Sequence, residues 1–102
     1  MLTANREHDD ERIWRVFKAL GNPVRLQIVR FIHQHPYCIC NEILLQLPDE
    51  CIRAQSTLSQ HLKVLRAADV IRTDCDGTST SYVVNDEFLD WVCVQLGELV
   101  EY

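Results

Sequence analysis

The sequence has no long hydrophobic run and no secretory signal. Charged residues interrupt the apolar stretches, as Asp90 does between Phe88 and Val92, which excludes a membrane-spanning helix. Residues 1–8 lack the basic-then-apolar order of a signal peptide. We find no internal repeat, linker or low-complexity stretch in the 102 residues. We therefore expect one domain over residues 1–102, located in the cytoplasm and without a membrane partner.

The chain also lacks the motifs of an enzyme. It has no Ser-His-Asp arrangement, no paired carboxylates suited to acid–base catalysis and no phosphate-binding loop. A chain of 102 residues leaves little room for a catalytic cleft beside one modest core. We expect a protein that is not an enzyme and holds no permanently bound cofactor.

Positive charge is not in excess, because 15 acidic residues outnumber 10 basic ones. The net charge of −5 is unusual for a protein that binds nucleic acid. The charges are segregated, however. Residues 53–72 carry four basic side chains and one acidic one, whereas residues 86–102 carry five acidic and no basic ones. Since local potential steers DNA, the basic middle of the chain is compatible with DNA binding.

Helical periodicity dominates the first two thirds of the chain. Asp9 and Asp10 suit the N-terminus of a first helix, and Gly21-Asn22-Pro23 ends that helix and starts the next. Proline breaks follow at Pro36 and Pro48. The four predicted helices run from Asp9 or Asp10 to Leu20, from Pro23 to His35, from Ile39 to Leu47 and from Ser56 to Ala68, with Ser56 as a cap or Thr57 and Gln60 as a capping box.

The pattern then changes to strands. Residues 70–74 and 79–84 are predicted strands, joined at the turn signal Asp76-Gly77. A last helix is predicted from Glu87 to Val100, with Asp86 or Asn85 as its cap. The fold class is thus mainly α with a β-hairpin, in the order α-α-α-α-β-β-α, which is the order of a winged helix-turn-helix.

The fourth helix has the composition of a DNA-reading helix. Leu58, Leu62 and Leu65 form a buried stripe, and short polar residues surround it. Glutamine pairs with adenine, serine and threonine suit several base edges, and lysine or arginine holds guanine or phosphate. A solvated polar face is the plain alternative, but such faces usually carry Glu and Lys. The predicted DNA-binding residues are Gln55, Ser56, Thr57, Ser59, Gln60, His61, Lys63 and Arg66.

Two segments resemble the ArsR/SmtB family of arsenic- and metal-responsive repressors. Residues 54–66, AQSTLSQHLKVLR, resemble its recognition helix, and residues 17–26, FKALGNPVRL, resemble its opening motif. The likeness covers residues 16–85 and includes the hairpin ending in Ser81-Tyr82. It implies a homodimer whose first and last helices pack across the two-fold axis. It also implies a repressor that binds double-stranded operator DNA and is released by an inducer.

The hairpin departs from that pattern. Its tip, residues 73–78, carries two aspartates and no basic residue. A phosphate or minor-groove contact from the tip is therefore not expected. Arg72, at the base of the hairpin, is the predicted contact instead.

Cysteines supply the candidate sensor. The odd count of five and the cytoplasmic setting predict thiols rather than disulfides. Cys38-Ile39-Cys40 resembles the Cys-x-Cys of the family's arsenite sensors, and soft thiolates select thiophilic ions such as arsenite or antimonite. Because residues two apart on a regular helix do not face each other, the helix start must distort to bind one ion. Because this helix supports the DNA-reading helix, the distortion would displace the DNA-reading helix.

The third ligand is left open. The family motif has another cysteine where this chain has Ile43. Cys51 is the first choice, Cys93 of a second subunit or an external thiol is an alternative, and Cys75 also remains. Buried structural cysteine is the plain reading of each.

Other inducers are possible within the same fold. Cysteine oxidation or sulfide sensing would use Cys38 or Cys40 with Cys51 or Cys93. His33 and His35 could add imidazole ligands for zinc, cadmium or copper, although histidine also suits a helix C-terminus. The last helix has no histidine, which disfavours the family's interfacial zinc site. Two further alternatives remain. One is a member of the same family that has no inducer or acts through partner proteins, and the other is an adaptor that uses only a helical dimer face.

Overall fold

The structure is a computed structural model and describes residues 2–47 and 55–100, with side chains from residue 6 onward. Within these ranges five helices flank one antiparallel hairpin. The predicted order of elements and the winged helix-turn-helix class are confirmed. The elements are α1 (Leu2–Leu20), α2 (Pro23–Gln34), α3 (Cys40–Gln46), α4 (Gln55–Ala67), β1 (Ile71–Asp76), β2 (Ser79–Val84) and α5 (Asp86–Leu99).

Helix α1 begins earlier than predicted. It starts at Leu2, which places Asp9 and Asp10 in the middle of the helix rather than at its N-terminus. Residues 2–8 contain no proline or glycine, so nothing in them stops the helix from extending. Exposed aspartates are tolerated within a helix, and their value as caps does not by itself mark a start.

The junction between α1 and α2 forms as predicted. The Asn22 side chain accepts hydrogen bonds from the backbone N–H groups of Val24 and Arg25 at 2.9 and 3.1 Å. Pro23 follows at the first helical position, where its missing N–H costs nothing. Gly21 N–H donates to Phe17 O at 2.8 Å, and a Cβ at Gly21 would lie 3.0 Å from that same oxygen. The tight turn therefore favours glycine.

Helices α3 and α4 form the helix-turn-helix pair. Helix α3 is one residue shorter at each end than predicted, with Ile39 and Leu47 as its flanking caps. The Glu42 side chain accepts from Ile39 N–H at 2.9 Å. Ser56 is the second residue of α4, so its predicted role as the N-cap is wrong, and Thr57 with Gln60 likewise lies inside the helix.

The hairpin is in the register Ile71 to Val84 through Asp76 to Ser79. Gly77 closes it with φ +66°, a conformation that glycine adopts without strain. Strand β1 starts and ends later than predicted, whereas β2 has its predicted bounds. Asn85 caps α5 by accepting from Phe88 N–H at 3.4 Å.

One core joins all the elements. Its fully buried side chains come from α1, α2, α3, α4, β1 and the link before β1, among them Val16, Ile28, Ile43, Leu58 and Ile71. No helix in residues 2–47 or 55–100 is long and apolar enough to cross a membrane. Outside the core, several large apolar side chains of the two terminal helices are exposed: Trp14, Phe17, Val94 and Leu99.

Candidate DNA interface and cysteine site

Helix α4 presents a polar face above a buried leucine stripe. Leu58, Leu62 and Leu65 are at most 3% exposed, as their helical spacing predicts. The core therefore holds the helix from behind while its outer side stays open. The predicted DNA-binding residues that this helix exposes are Gln55, Ser56, Thr57, Ser59, Gln60, Lys63 and Arg66.

His61 differs from these neighbours because it is half-buried. Its Nδ1 lies 3.4 Å from Nη1 of Arg25, which donates because guanidinium has no acceptor. Burial lowers the pKa of His61, and the positive charge of Arg25 lowers it further. The ring is thus neutral at pH 7, with its proton on Nε2.

Arg25 positions the recognition helix through contacts that the sequence analysis did not single out. Its Nε donates to Ala19 O at 2.6 Å and its Nη2 to Lys18 O at 3.4 Å. One side chain therefore ties the last turn of α1 and the start of α2 to the recognition helix. The signal was present in the opening motif, where Arg25 is the third residue after Asn22.

The wing, residues 71–84, offers DNA little positive charge. Its tip is exposed and holds Asp74 and Asp76. Arg72 is exposed at the base, where its Nη2 lies 3.4 Å from Oε2 of Glu87. Exposed ion pairs of this kind are weak, so Arg72 can exchange Glu87 for a DNA phosphate. Its predicted contact stays a prediction.

The cysteine segment, residues 37–40, lies in the link after α2 and ends at the first residue of α3. Cys38 is part of the core and only 4% exposed. Burial raises the pKa of the Cys38 thiol, and the nearby carboxylate of Glu42 raises it further. Its thiol is protonated at neutral pH. A thiophilic ion would have to draw it out of the core.

Cys40 is half-buried beside the wing. Its Sγ lies 3.7 Å from the hydroxyl of Tyr82, within hydrogen-bond distance for sulfur. Burial raises the pKa of Tyr82 to about 12, and the hydrogen bond to Cys40 adds to the shift. The phenol therefore keeps its proton at neutral pH and can donate it to the sulfur.

The remaining candidate ligands do not complete a site within the described residues. Cys51, the predicted third ligand, lies outside the described residues. Cys75 and Cys93 are exposed, on the wing and on α5. In residues 2–47 and 55–100 no group of three or more His, Cys, Asp or Glu side chains is placed to hold a metal ion. His33 and His35 are exposed, and the His35 ring packs on Phe31 with centroids 4.4 Å apart.

The fold and the polar face of α4 define a winged helix-turn-helix DNA-binding protein. Residues 20–74 match a family described as "Helix-turn-helix domain". The chain is 30% identical over 90 residues to an uncharacterized HTH-type transcriptional regulator of Methanocaldococcus jannaschii, covering 87% of this chain and 96% of the relative. It is 31% identical over 77 residues to the arsenical resistance operon repressor of Staphylococcus xylosus, covering 76% and 69%.

A solved structure agrees with this assignment. The ArsR-like transcriptional regulator from Rhodococcus sp. RHA1 superimposes with a TM-score of 0.79 at 17% identity, covering 90% of this chain and 82% of that one. The chain belongs to the ArsR family of helix-turn-helix transcriptional regulators. Its fold and its relatives are those of regulators, not of enzymes.

Proposed function

We propose that the protein is a homodimeric repressor that leaves its operator DNA when arsenite or antimonite binds Cys38 and Cys40. The observation that supports this most strongly is where the cysteine segment lies. Cys40 is the first residue of α3, the helix that packs against the recognition helix α4. Cys38 belongs to the same core as Leu58 and Leu62 of α4. A ligand on these sulfurs acts directly on the support of the DNA-reading helix.

The chemistry of the thiols favours a thiophilic inducer. Soft sulfur ligands select soft ions. Arsenite exchanges its hydroxyl groups for sulfur, and each new As–S bond releases one water that carries away the thiol proton. No oxidant is needed. Cys51 or a thiol from outside the chain would supply a third sulfur.

Binding must also distort the protein. Cys38 lies before α3 and is buried, while Cys40 faces the wing hydroxyl, so the two thiols are held in different surroundings. Drawing both to one ion moves Cys38 out of the core and shifts the start of α3. A coupling of about 1–3 kcal/mol between this site and the DNA interface would change operator affinity about 5- to 150-fold.

The exposed apolar face of α1 and α5 supports the dimer. Trp14 and Phe17 are 51% and 48% exposed, and Leu99 is 78% exposed. With Ile13 and Leu96 they line one groove, whose polar lining residues are Arg6, Asp10, Gln95 and Glu98. Trp91, by contrast, is half-buried and stacks on Phe88 of its own chain, with ring centroids 5.8 Å apart. Of the two tryptophans, Trp14 is therefore the better dimer anchor.

The decisive experiment is a fluorescence-anisotropy titration of the reduced protein on DNA from upstream of its own gene. Sodium arsenite, zinc, cadmium and a disulfide oxidant are added in turn. We expect release by stoichiometric arsenite. Release by the oxidant alone would instead identify a redox sensor, and release by zinc or cadmium alone a soft-metal sensor. If none of them releases the DNA, the inducer assignment is wrong.

Variants locate the site. Cys40→Ser is the main variant, because a hydroxyl can replace the sulfur as the partner of Tyr82; we expect it to bind DNA and to resist arsenite. Cys38→Ala avoids placing a new polar group in the core. Cys75→Ser is the matched control, since Cys75 is exposed on the wing. Arsenite release of Cys40→Ser at the wild-type concentration would rule out the proposed ligands.

The dimer has its own test. Trp14→Glu should convert the dimer to monomer in analytical ultracentrifugation, because it removes a large apolar contact and places a charge that must be desolvated at the interface. Leu45→Glu is the control, as Leu45 is 82% exposed on α3, away from the proposed interface. Equal sedimentation of the wild type and Trp14→Glu would contradict this interface.

A further inference from the structure

We propose that Tyr82 couples the cysteine segment to the wing, so that an ion bound at Cys40 moves the wing as well as the helix-turn-helix pair. This inference rests on the proposed function and assigns a second route by which the inducer releases DNA. Tyr82 acts through Cys40 and the wing, and is therefore a positioning residue.

The first link is made by the backbone. Tyr37 N–H donates to Tyr82 O at 2.8 Å, and Tyr82 N–H donates to Cys38 O at 2.9 Å. These two bonds form an isolated antiparallel bridge between Cys38 and Tyr82. The cysteine segment is therefore held against β2 at one residue pair, outside the two-stranded wing. Any movement that takes Cys38 out of the core strains this bridge.

The second link is made by side chains. The Tyr82 ring is only 8% exposed, and its hydroxyl lies 3.7 Å from Sγ of Cys40. Drawing Cys40 toward an ion that it shares with Cys38 moves the sulfur away from the Tyr82 hydroxyl and breaks this hydrogen bond. A hydroxyl left without a partner in a buried position is unfavourable. The ring must then turn toward another partner, and it carries β2 with it.

The wing gives this movement a consequence for DNA. Tyr82 is paired with Thr73 on β1, directly next to Arg72. Arg72 is the one basic residue in the sequence from 71 to 84. A shift of β2 at Tyr82 therefore displaces the wing residue best suited to hold a phosphate. The recognition helix and the wing would lose their contacts together.

Tyr82→Phe tests the side-chain link, because it keeps the ring in the core and removes only the hydroxyl. The matched control is Tyr37→Phe, whose hydroxyl is on an exposed ring of the same segment. For each protein we would measure the operator Kd with and without sodium arsenite, arsenic bound per subunit, and thermal unfolding. In Tyr82→Phe we expect unchanged arsenic stoichiometry and an arsenite-free operator Kd within about twofold of wild type. The ratio of the Kd with arsenite to the Kd without it should be at least about fivefold smaller than in the wild type. Tyr37→Phe should behave as wild type.

A second measurement follows the wing without DNA. Amide hydrogen exchange at Tyr37 and Tyr82 should accelerate at least about tenfold when arsenite binds the wild type. An unchanged Kd ratio in Tyr82→Phe, or unchanged exchange at both amides while arsenite releases wild-type DNA, would overturn this inference alone. If the wild type binds arsenite but stays on its operator DNA, the proposed function is overturned, and this inference with it.

Discussion

The recognition helix and the wing meet the solvent in opposite ways. Helix α4 exposes Gln60 and Lys63 above a leucine stripe that the core holds rigidly. The wing carries Asp74 and Asp76 at its tip, and its one arginine is paired with Glu87. In the proposed function the helix reads bases, while the wing adds little attraction to DNA. Variants in the recognition helix and in the wing should therefore have different effects on DNA binding.

Gln60→Ala should have the largest effect, because a glutamine paired with one base contributes about 1–3 kcal/mol of discrimination. We expect specific operator binding to weaken about 5- to 150-fold, with little change on unrelated DNA. Anisotropy on both duplexes at one salt concentration measures this. Gln27→Ala, an exposed glutamine on α2, is the control. Equal losses on both duplexes would mean that Gln60 only positions the helix.

Lys63→Ala should have a smaller and less selective effect. A lysine that neutralises one phosphate changes the slope of log K against log salt by about 1 and weakens binding to all sequences alike. The measurement is a salt titration from low to moderate ionic strength on operator and unrelated DNA. Lys18→Ala serves as the comparison, because Lys18 is exposed on α1. A loss confined to the operator would make Lys63 a base-reading residue instead.

Glu87→Gln should strengthen DNA binding slightly. It frees Arg72 from its 3.4 Å ion pair, and since exposed pairs are weak, the gain should not exceed about threefold. Asp86→Asn removes the same charge from the same first turn of α5 but leaves the pair intact. The two variants are compared by operator Kd. If both gain equally, the effect is general charge and Arg72 has no special part in it.

The smallest effect concerns pH. The pKa of His61 in the folded protein is lowered from its ordinary 6.5. As the pH falls, His61 of the unfolded chain is therefore protonated at a higher pH than His61 of the folded protein. The stabilisation from His61 is complete above pH 6.5 and is lost as pH falls from there toward the lower folded pKa. Urea unfolding at pH 7.5 and 5.5 should show a smaller difference in His61→Gln than in wild type. The exposed His33→Gln should keep the wild-type difference.

Local patterns predicted the elements well. The leucines of α4 are buried where their spacing placed them. The hairpin turns one residue later than the Asp76-Gly77 signal, at Gly77-Thr78, because Asp76 still pairs with Ser79. The bounds were less accurate where a residue suits two positions. Asp9 and Asp10 are good caps, yet they lie inside α1 because nothing before them ends the helix.

The contacts that define the candidate site could not be predicted from local patterns. Arg25 meets His61 across 36 positions of sequence, and only the packing of α2 on α4 brings them together. Cys38 and Cys40 were expected at one helix start, where residues two apart do not face each other, but the spacing did not say which of them is buried. Cys38 is buried because its backbone pairs with Tyr82, a contact that no spacing in the cysteine motif encodes.

Asn85 has a consequence for the whole assembly. Its side chain donates to Asp69 O at 3.0 Å and caps α5, and its N–H donates to Val70 O at 2.9 Å. The exit from the recognition helix and the entry to α5 therefore meet at one buried amide at a fixed angle. In the proposed dimer, α5 sets the distance between the two recognition helices. Asn85 would thus help to fix that distance. The protein would then select operators by the spacing of their half-sites, about 34–36 Å for one turn of DNA, as well as by their bases.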